Sequence, residues 1–466
     1  MSSYQRLFKS GTANATSLVV RIVQQLLLVT VLVSVWPTEL YGEWLVVSAI
    51  PIFLSLADFG FVLAGSNELS RRATSENEKS VIDFYTIYSV YIQRWSLLIA
   101  FILGVFAFTL PLKAWMSLQV MAATEVSSIF LLLSLGALIS QNSLTLFAGL
   151  RAKGKAHYGL WVRVFQAVVG SLIALTLVGV FEVSPIVLAS SMLIVTIIFY
   201  LLEWWVLKKE GLTQSTHFLQ KMNNDSGIQM MPYLSKGMEM MLIPLAQAIT
   251  LQGSIILVGK TLGPIAVAIF VTHRTFARLS SSVVKVFANP LLAEAGLLQR
   301  PEDKPILTQI VSLLTRVTFW LALLMLAGFL IFGNWVYNLW VQGNIDFNEQ
   351  LLVIFLIGII AESLWQIVTA VRMGSNRHRP VAWGYLTFSI LGLVTASLLA
   401  TNYGILGIAV GVTLIDIAMM ILAVWTLRGI VDTSIRQFIF GLAVPPIKEI
   451  KQVLKKITSK GTNNAN

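Results

Sequence analysis

Seven basic side chains fall inside long apolar runs of this 466-residue chain: Arg21, Arg94, Arg163, Arg274, Arg278, Lys285 and Arg316. Exposed to hydrocarbon they would cost roughly 3 kcal/mol each, on the order of 20 kcal/mol together. That exceeds the net stability of most domains, so several must be shielded. Arg94, Arg163 and Lys285 lie near enough to a span end to snorkel toward the interface. Arg21, about 12 Å along its helix, and Arg274, near mid-depth, do not. Four carboxylates, Asp58, Glu239, Glu362 and Asp416, sit in or near the same runs. Each can pair with a cation or carry a coupling proton or sodium ion. Asp58 against Arg21 is the first pair expected.

Helical spacing groups these residues. Asn14, Ser17, Arg21 and Gln25 form one stripe; Arg274, Arg278, Ser281, Lys285 and Asn289 form another. Glu239, Gln247, Thr250 and Ser254 share a face, and Ser48, Ser55 and Ser66 align beside Asp58. Such stripes can be glue between helices. With several cations among them, they are expected instead to wall a hydrated, net positive cavity that meets an anion. The residues expected to bind it are Arg21, Gln25, Arg274, Arg278, Lys285 and Asn289.

The elements that must position these residues are membrane helices. The chain is 56% hydrophobic and 12% charged, with mean hydropathy +0.78, where soluble proteins carry about 25% charged residues. Hydropathy divides it into about twelve spans, near 13–36, 44–68, 88–111, 123–149, 158–181, 185–207, 237–259, 264–290, 306–333, 349–373, 380–402 and 404–427. Only Asn402-Tyr403-Gly404 separates the last two. The expected fold is all-α and polytopic, with two six-helix lobes around a central cationic cavity. The lobes are 1–210 and 237–430, joined by a linker at 211–236 and followed by a basic tail at 431–466. This is a parallel pseudo-repeat, with the site between its halves. Pro51, Pro244 and Pro264 can bend or open their helices, and Gly407 and Gly411 suit close packing.

Basic loops set the orientation. Arg71, Arg72, Arg151, Lys153, Lys155, Lys208, Lys209, Arg372 and Arg377 fall on one side, whereas the opposite loops offer only Lys113 and Lys260. Both termini are therefore expected in the cytoplasm. The net charge of +11 reflects this topology, not nucleic acid. After Pro446, IKEIKQVLKKI has the pattern of a helix lying on an anionic leaflet. The chain has no cysteine, so disulfides, thiolate metal sites and cysteine catalysis are excluded. It has no phosphate-cradling glycine loop, and its histidines are scattered. No cofactor, metal site or enzymatic activity is expected.

The stretch YGEWLVVSAIPIFLSLADFGFVLAGSNELSRRA at 41–73 resembles the second-span signature of Wzx-type flippases for O-antigen and other polysaccharide repeat units. These belong to the multidrug/oligosaccharidyl-lipid/polysaccharide (MOP) exporter superfamily. LFAGLRAKGKAHYG at 146–159 and VRMGSNRHRP at 371–380 are also similar to that family. The resemblance implies a bacterial inner-membrane protein of lipopolysaccharide biosynthesis. It would move undecaprenyl-diphosphate-linked oligosaccharide to the periplasmic leaflet by alternating access, coupled to an ion gradient. A polysaccharide polymerase and a chain-length regulator are the protein partners it suggests. On this reading Arg21, Arg274 and Arg278 hold the diphosphate and Lys285 attracts it, while Gln25, Asn289 and serines meet the sugar. The competing readings are a drug–cation antiporter of the same superfamily, its peptidoglycan-precursor flippase, and a membrane glycan polymerase or ligase.

Overall fold

The computed structural model describes residues 20, 22–56, 58, 60–75, 77–212, 231–298, 300–375, 377–428 and 434–447. Arg21, most of the 211–236 linker and the tail segment after Ile447 lie outside them. So do the side chains of Lys285 and Asn289. The fold is all-α, and among the described residues eight helical segments are long and apolar enough to cross a membrane.

In order, the helices are α1 (Ile22–Val35), α2 (Thr38–Leu54), α3 (Phe61–Ser75), α4 (Glu78–Thr109) and the single turn α5 (Leu112–Trp115). Then come α6 (Ala123–Ala152), α7 (Ala156–Gly179), α8 (Pro185–Lys209), α9 (Met231–Ala248) and α10 (Ser254–Leu262). The last five are α11 (Pro264–Leu297), α12 (Lys304–Val341), α13 (Glu349–Gly374), α14 (Arg379–Thr426) and α15 (Ile435–Leu442).

The expected second span is two helices, not one. α2 ends at Leu54, three residues after Pro51, and a turn carries the chain to α3. Asp58 caps that second start: its Oδ2 accepts the Val62 N–H at 2.7 Å. A carboxylate at a helix N-terminus satisfies an orphan donor and meets the positive end of the helix dipole. Gly60 follows with φ +74°, and a Cβ there would stand 2.2 Å from the Gly237 carbonyl oxygen of α9. The turn therefore needs glycine for its backbone angle and again for its neighbour.

The seventh span is also interrupted. Five residues of π-helix, Ile249–Gly253, join α9 to α10, just past Pro244. Pro264 starts α11 after Gly263 at φ +84°, a position where its missing N–H is no loss. The forty-eight residues of α14 contain a break at Gly404 (φ 54°, ψ −133°). Beyond it the chain folds back. A Cβ on Gly411 would come 2.5 Å from Ala396, and one on Gly407 would come 2.4 Å from the Leu399 carbonyl oxygen. So α14 supplies both of the last two spans, and Gly407 and Gly411 make the close approach expected of them.

The chain forms two compact units: Met1–Phe270 with Asn338–Asp346, and Val271–Tyr337 with Phe347–Asn466. In the first, α9, α10 and the start of α11 pack on α2 and α3. Gly42 lies against the Pro264 backbone and Gly259 against Val46. Its core at the basic face gathers Phe61, Leu69, Phe84, Tyr85, Tyr88, Leu146 and Leu207. Glu43 of α2 is fully buried, and its carboxylate accepts the N–H groups of Gln119, Val120 and Met121. In the second unit α13 is the most enclosed span, with 72% of its apolar window buried.

Candidate functional site

In the second unit three helices bring charges together. α11 presents Arg274, buried at 7% exposure, and Arg278 one turn later, half-buried. Each guanidinium lies within the field of the other. From α13, the buried Glu362 accepts the Ser281 hydroxyl at 2.9 Å and the Gln366 amide. From α14, Asp416 accepts the Trp365 Nε1–H at 3.1 Å, and the charges acting on it are those of Glu362 and Arg278. Gly358 on α13 makes this possible, since a Cβ there would meet Thr413 Oγ1 at 3.3 Å and Asp416 Oδ2 at 3.5 Å.

The helical stripe expected on α11 is thus partly assembled. Arg274, Arg278 and Ser281 lie together, and Glu362 and Asp416 join them. Arg278 lies within the field of Asp416, so this part of the site holds carboxylates as well as cations and is not purely cationic. Burying such a cluster is tolerable only when opposite charges and hydrogen bonds compensate the lost hydration. A substrate anion would compete with Asp416 for Arg278. A proton or sodium ion on the carboxylates would change that competition.

Of the other expected residues, Asp58, Gln25 and Glu239 belong to the first unit, and the side chains of Lys285 and Asn289 lie outside the described residues. Asp58 serves as the α3 cap, and its expected partner Arg21 lies outside the described residues. Gln25 is exposed on α1, whereas its neighbour Gln24 lines a cavity of the first unit. Glu239 is exposed on α9.

Two of the intramembrane arginines have other partners. Arg163 does not snorkel. Its Nε lies 3.4 Å from Glu203 Oε1 of α8, an NH2 group donates to the Ser143 carbonyl at 3.3 Å, and the guanidinium sits 4.7 Å over Phe147. Arg316 donates to the carbonyls of Val444 and Pro445, just past the end of α15, where Trp320 also donates to Leu442. Free carbonyls at a helix end are a natural seat for a cation.

The sequence reading missed Glu203, with a side chain 1% exposed, and the run Ser140-Gln141-Asn142-Ser143 in the middle of α6. Asn142 donates to Ser96 Oγ of α4 at 2.8 Å, and Ser143 donates to Glu203. Four consecutive polar residues inside a span were the available signal.

The three stretches that carry the family resemblance hold the basic face together. Glu68 pairs with Arg71 and Arg72 and accepts the Tyr233 hydroxyl. Arg151 reaches from α6 to the Ser66 carbonyl and Ser70 hydroxyl of α3, at 2.7 and 2.9 Å. Arg372 donates to the carbonyls of Arg377 and Thr426. These contacts specify a fold more than a substrate.

No protein-family model and no curated protein sequence matches the chain. Solved structures do. An inward-facing multidrug resistance MATE transporter of the MOP superfamily is 14% identical, with TM-score 0.70 over 87% of this chain and 94% of that one. Lipid II flippase MurJ, in an inward closed conformation, is 10% identical, with TM-score 0.67 over 93% and 89%. A MOP superfamily transporter from Pyrococcus furiosus, described as having a binding pocket of reverse polarity, is 13% identical, with TM-score 0.61 over 93% and 96%. At such identities the likeness is one of fold alone: the all-α, polytopic architecture that these transporters share. One architecture hosts different substrates, so the cargo must be argued from the site.

Proposed function

We propose that this protein is a transporter of the bacterial inner membrane that flips a polyprenyl-diphosphate-linked oligosaccharide to the periplasmic leaflet. Undecaprenyl-diphosphate-linked O-antigen or another polysaccharide repeat unit is the cargo the sequence resemblance points to. The observation that carries the reading is the pair Arg274 and Arg278, one turn apart on α11 at mid-span. Two guanidinium groups at that spacing suit the oxygens of a diphosphate, which arginine binds in a fork. Glu362 and Asp416 supply the coupling side. By competing for Arg278, Asp416 links the grip on phosphate to protonation or sodium binding at the two carboxylates. Complementation tests this. Flippase-deficient cells carrying the wild-type chain should regain surface polysaccharide. Cells carrying Arg274→Gln with Arg278→Gln should not, although the variant inserts normally. Full display by the double variant removes the assignment.

A second reading is a drug–cation antiporter. It is favoured by the MATE transporters that predominate among the matched structures, and Glu362 with Asp416 would then receive the organic cation. Growth of a drug-sensitive strain on ethidium and quaternary amines, restored by wild type and lost in Glu362→Gln, would establish it.

A further inference from the structure

The first unit holds a cavity of about 340 Å3 between α1, α6, α7 and α8. That is room for roughly ten waters, and it falls at the low end of small-ligand pockets. Its polar wall includes Gln24, Ser140, Ser143, Arg163, Gln166 and Thr196. Ser140 lies twelve residues from the end of α6 at Ala152, about 18 Å along the helix. The cavity therefore reaches to the middle of the α6 span.

Its chemistry is specific. Arg163 is already engaged, its Nε 3.4 Å from Glu203 Oε1. Ser143 donates to Glu203, and Thr196 donates to the Met192 carbonyl of its own helix at 2.8 Å, leaving the Thr196 oxygen as an acceptor. Among the described residues the amides of Gln24 and Gln166 and the Ser140 hydroxyl have no hydrogen-bond partner. An occupant must therefore offer both donors and acceptors without charge. Leu28, Ala174 and Val195 give the remaining wall an apolar surface, which suits the C–H face of a sugar ring. We infer that this cavity is a saccharide subsite, taking a neutral, hydroxyl-rich part of the glycan. The inference rests on the transport reading for the source of its sugar, but binding can be measured without transport.

The chain has no cysteine, so Ser140→Cys and Thr196→Cys each provide a single reporter. Either variant is purified in a detergent lacking a sugar headgroup and labelled with a small thiol reagent. Maltose, lactose, rhamnose and N-acetylglucosamine are tested at 50 mM. At least one should slow labelling several-fold, and sodium chloride or inorganic diphosphate at matched ionic strength should not. Adding Gln166→Leu should remove the protection, measured against that variant's own sugar-free labelling rate. Labelling unaffected by every saccharide at both positions overturns the inference. Protection by sodium or diphosphate alone also overturns it, and points to an ion site. If saccharides protect while cells show no surface glycan, the transport reading falls and the subsite stands.

Discussion

Replacing Gly60 by alanine tests how the second span is built. The residue has φ +74°, and its Cβ would stand 2.2 Å from the Gly237 carbonyl oxygen, a backbone atom that cannot swing aside. Left-handed backbone costs a residue with a side chain about 1–2 kcal/mol, and forcing atoms into a packed site costs about 1–3 kcal/mol more. Gly60→Ala should therefore lose about 2–5 kcal/mol. Gly211 supplies the control: its φ is +77°, with nothing within 4 Å of an added Cβ. Gly211→Ala should lose only the backbone part, about 1–2 kcal/mol. Gly237→Ala, whose Cβ would lie 2.6 Å from the Gly60 carbonyl oxygen, should lose only the packing part. The assay is the midpoint of heat-induced loss of the monodisperse peak in size-exclusion chromatography, at one heating rate. Gly60→Ala should fall below Gly211→Ala by at least about 2 °C, given about 2–4 °C per kcal/mol for large domains. Equal midpoints for those two variants would refute the claim that α3 and α9 meet backbone to backbone.

Removing either partner of the Arg163–Glu203 pair strands a buried charge. Arg163→Leu or Glu203→Leu alone should each cost about 3–5 kcal/mol, and the double variant clearly less than either, by the same heating assay. Glu43→Gln takes the charge from the acceptor of three backbone N–H groups, at about 1–3 kcal/mol. It should speed tryptic cleavage at Lys113, beside the loop that Glu43 holds. Arg316→Ala should release α15, raising hydrogen exchange over 435–442 while the helices of the first unit stay protected.

Much of this architecture was legible in the sequence because membrane spans must be long, apolar and closed by turns. Asn402-Tyr403-Gly404 marked the fold-back in α14 even though no loop separates its two arms. The break before α3 was not recognised, because a span-length hydropathy window averages over a short turn. Asp58 and Gly60 were visible there, but the carboxylate reads equally well as a buried charge until Val62 is known to need a cap. The partners of Arg163 and Arg316 were not legible, for one shared reason. Depth along a helix can be counted, whereas the partner that settles a buried cation's role sits on another helix, at Glu203, or beyond α15, at Val444. The α11 stripe was legible from its period alone. That Ser281 meets Glu362 and Arg278 lies near Asp416 depends on how α13 and α14 pack, which period does not encode.

The most direct test of the account reconstitutes purified protein in liposomes loaded on one leaflet with a labelled polyprenyl-diphosphate oligosaccharide. The account predicts glycan appearing on the opposite leaflet with wild type and not with Arg274→Gln/Arg278→Gln. Equal movement by both proteins, or movement of ethidium in place of the lipid-linked glycan, would contradict it.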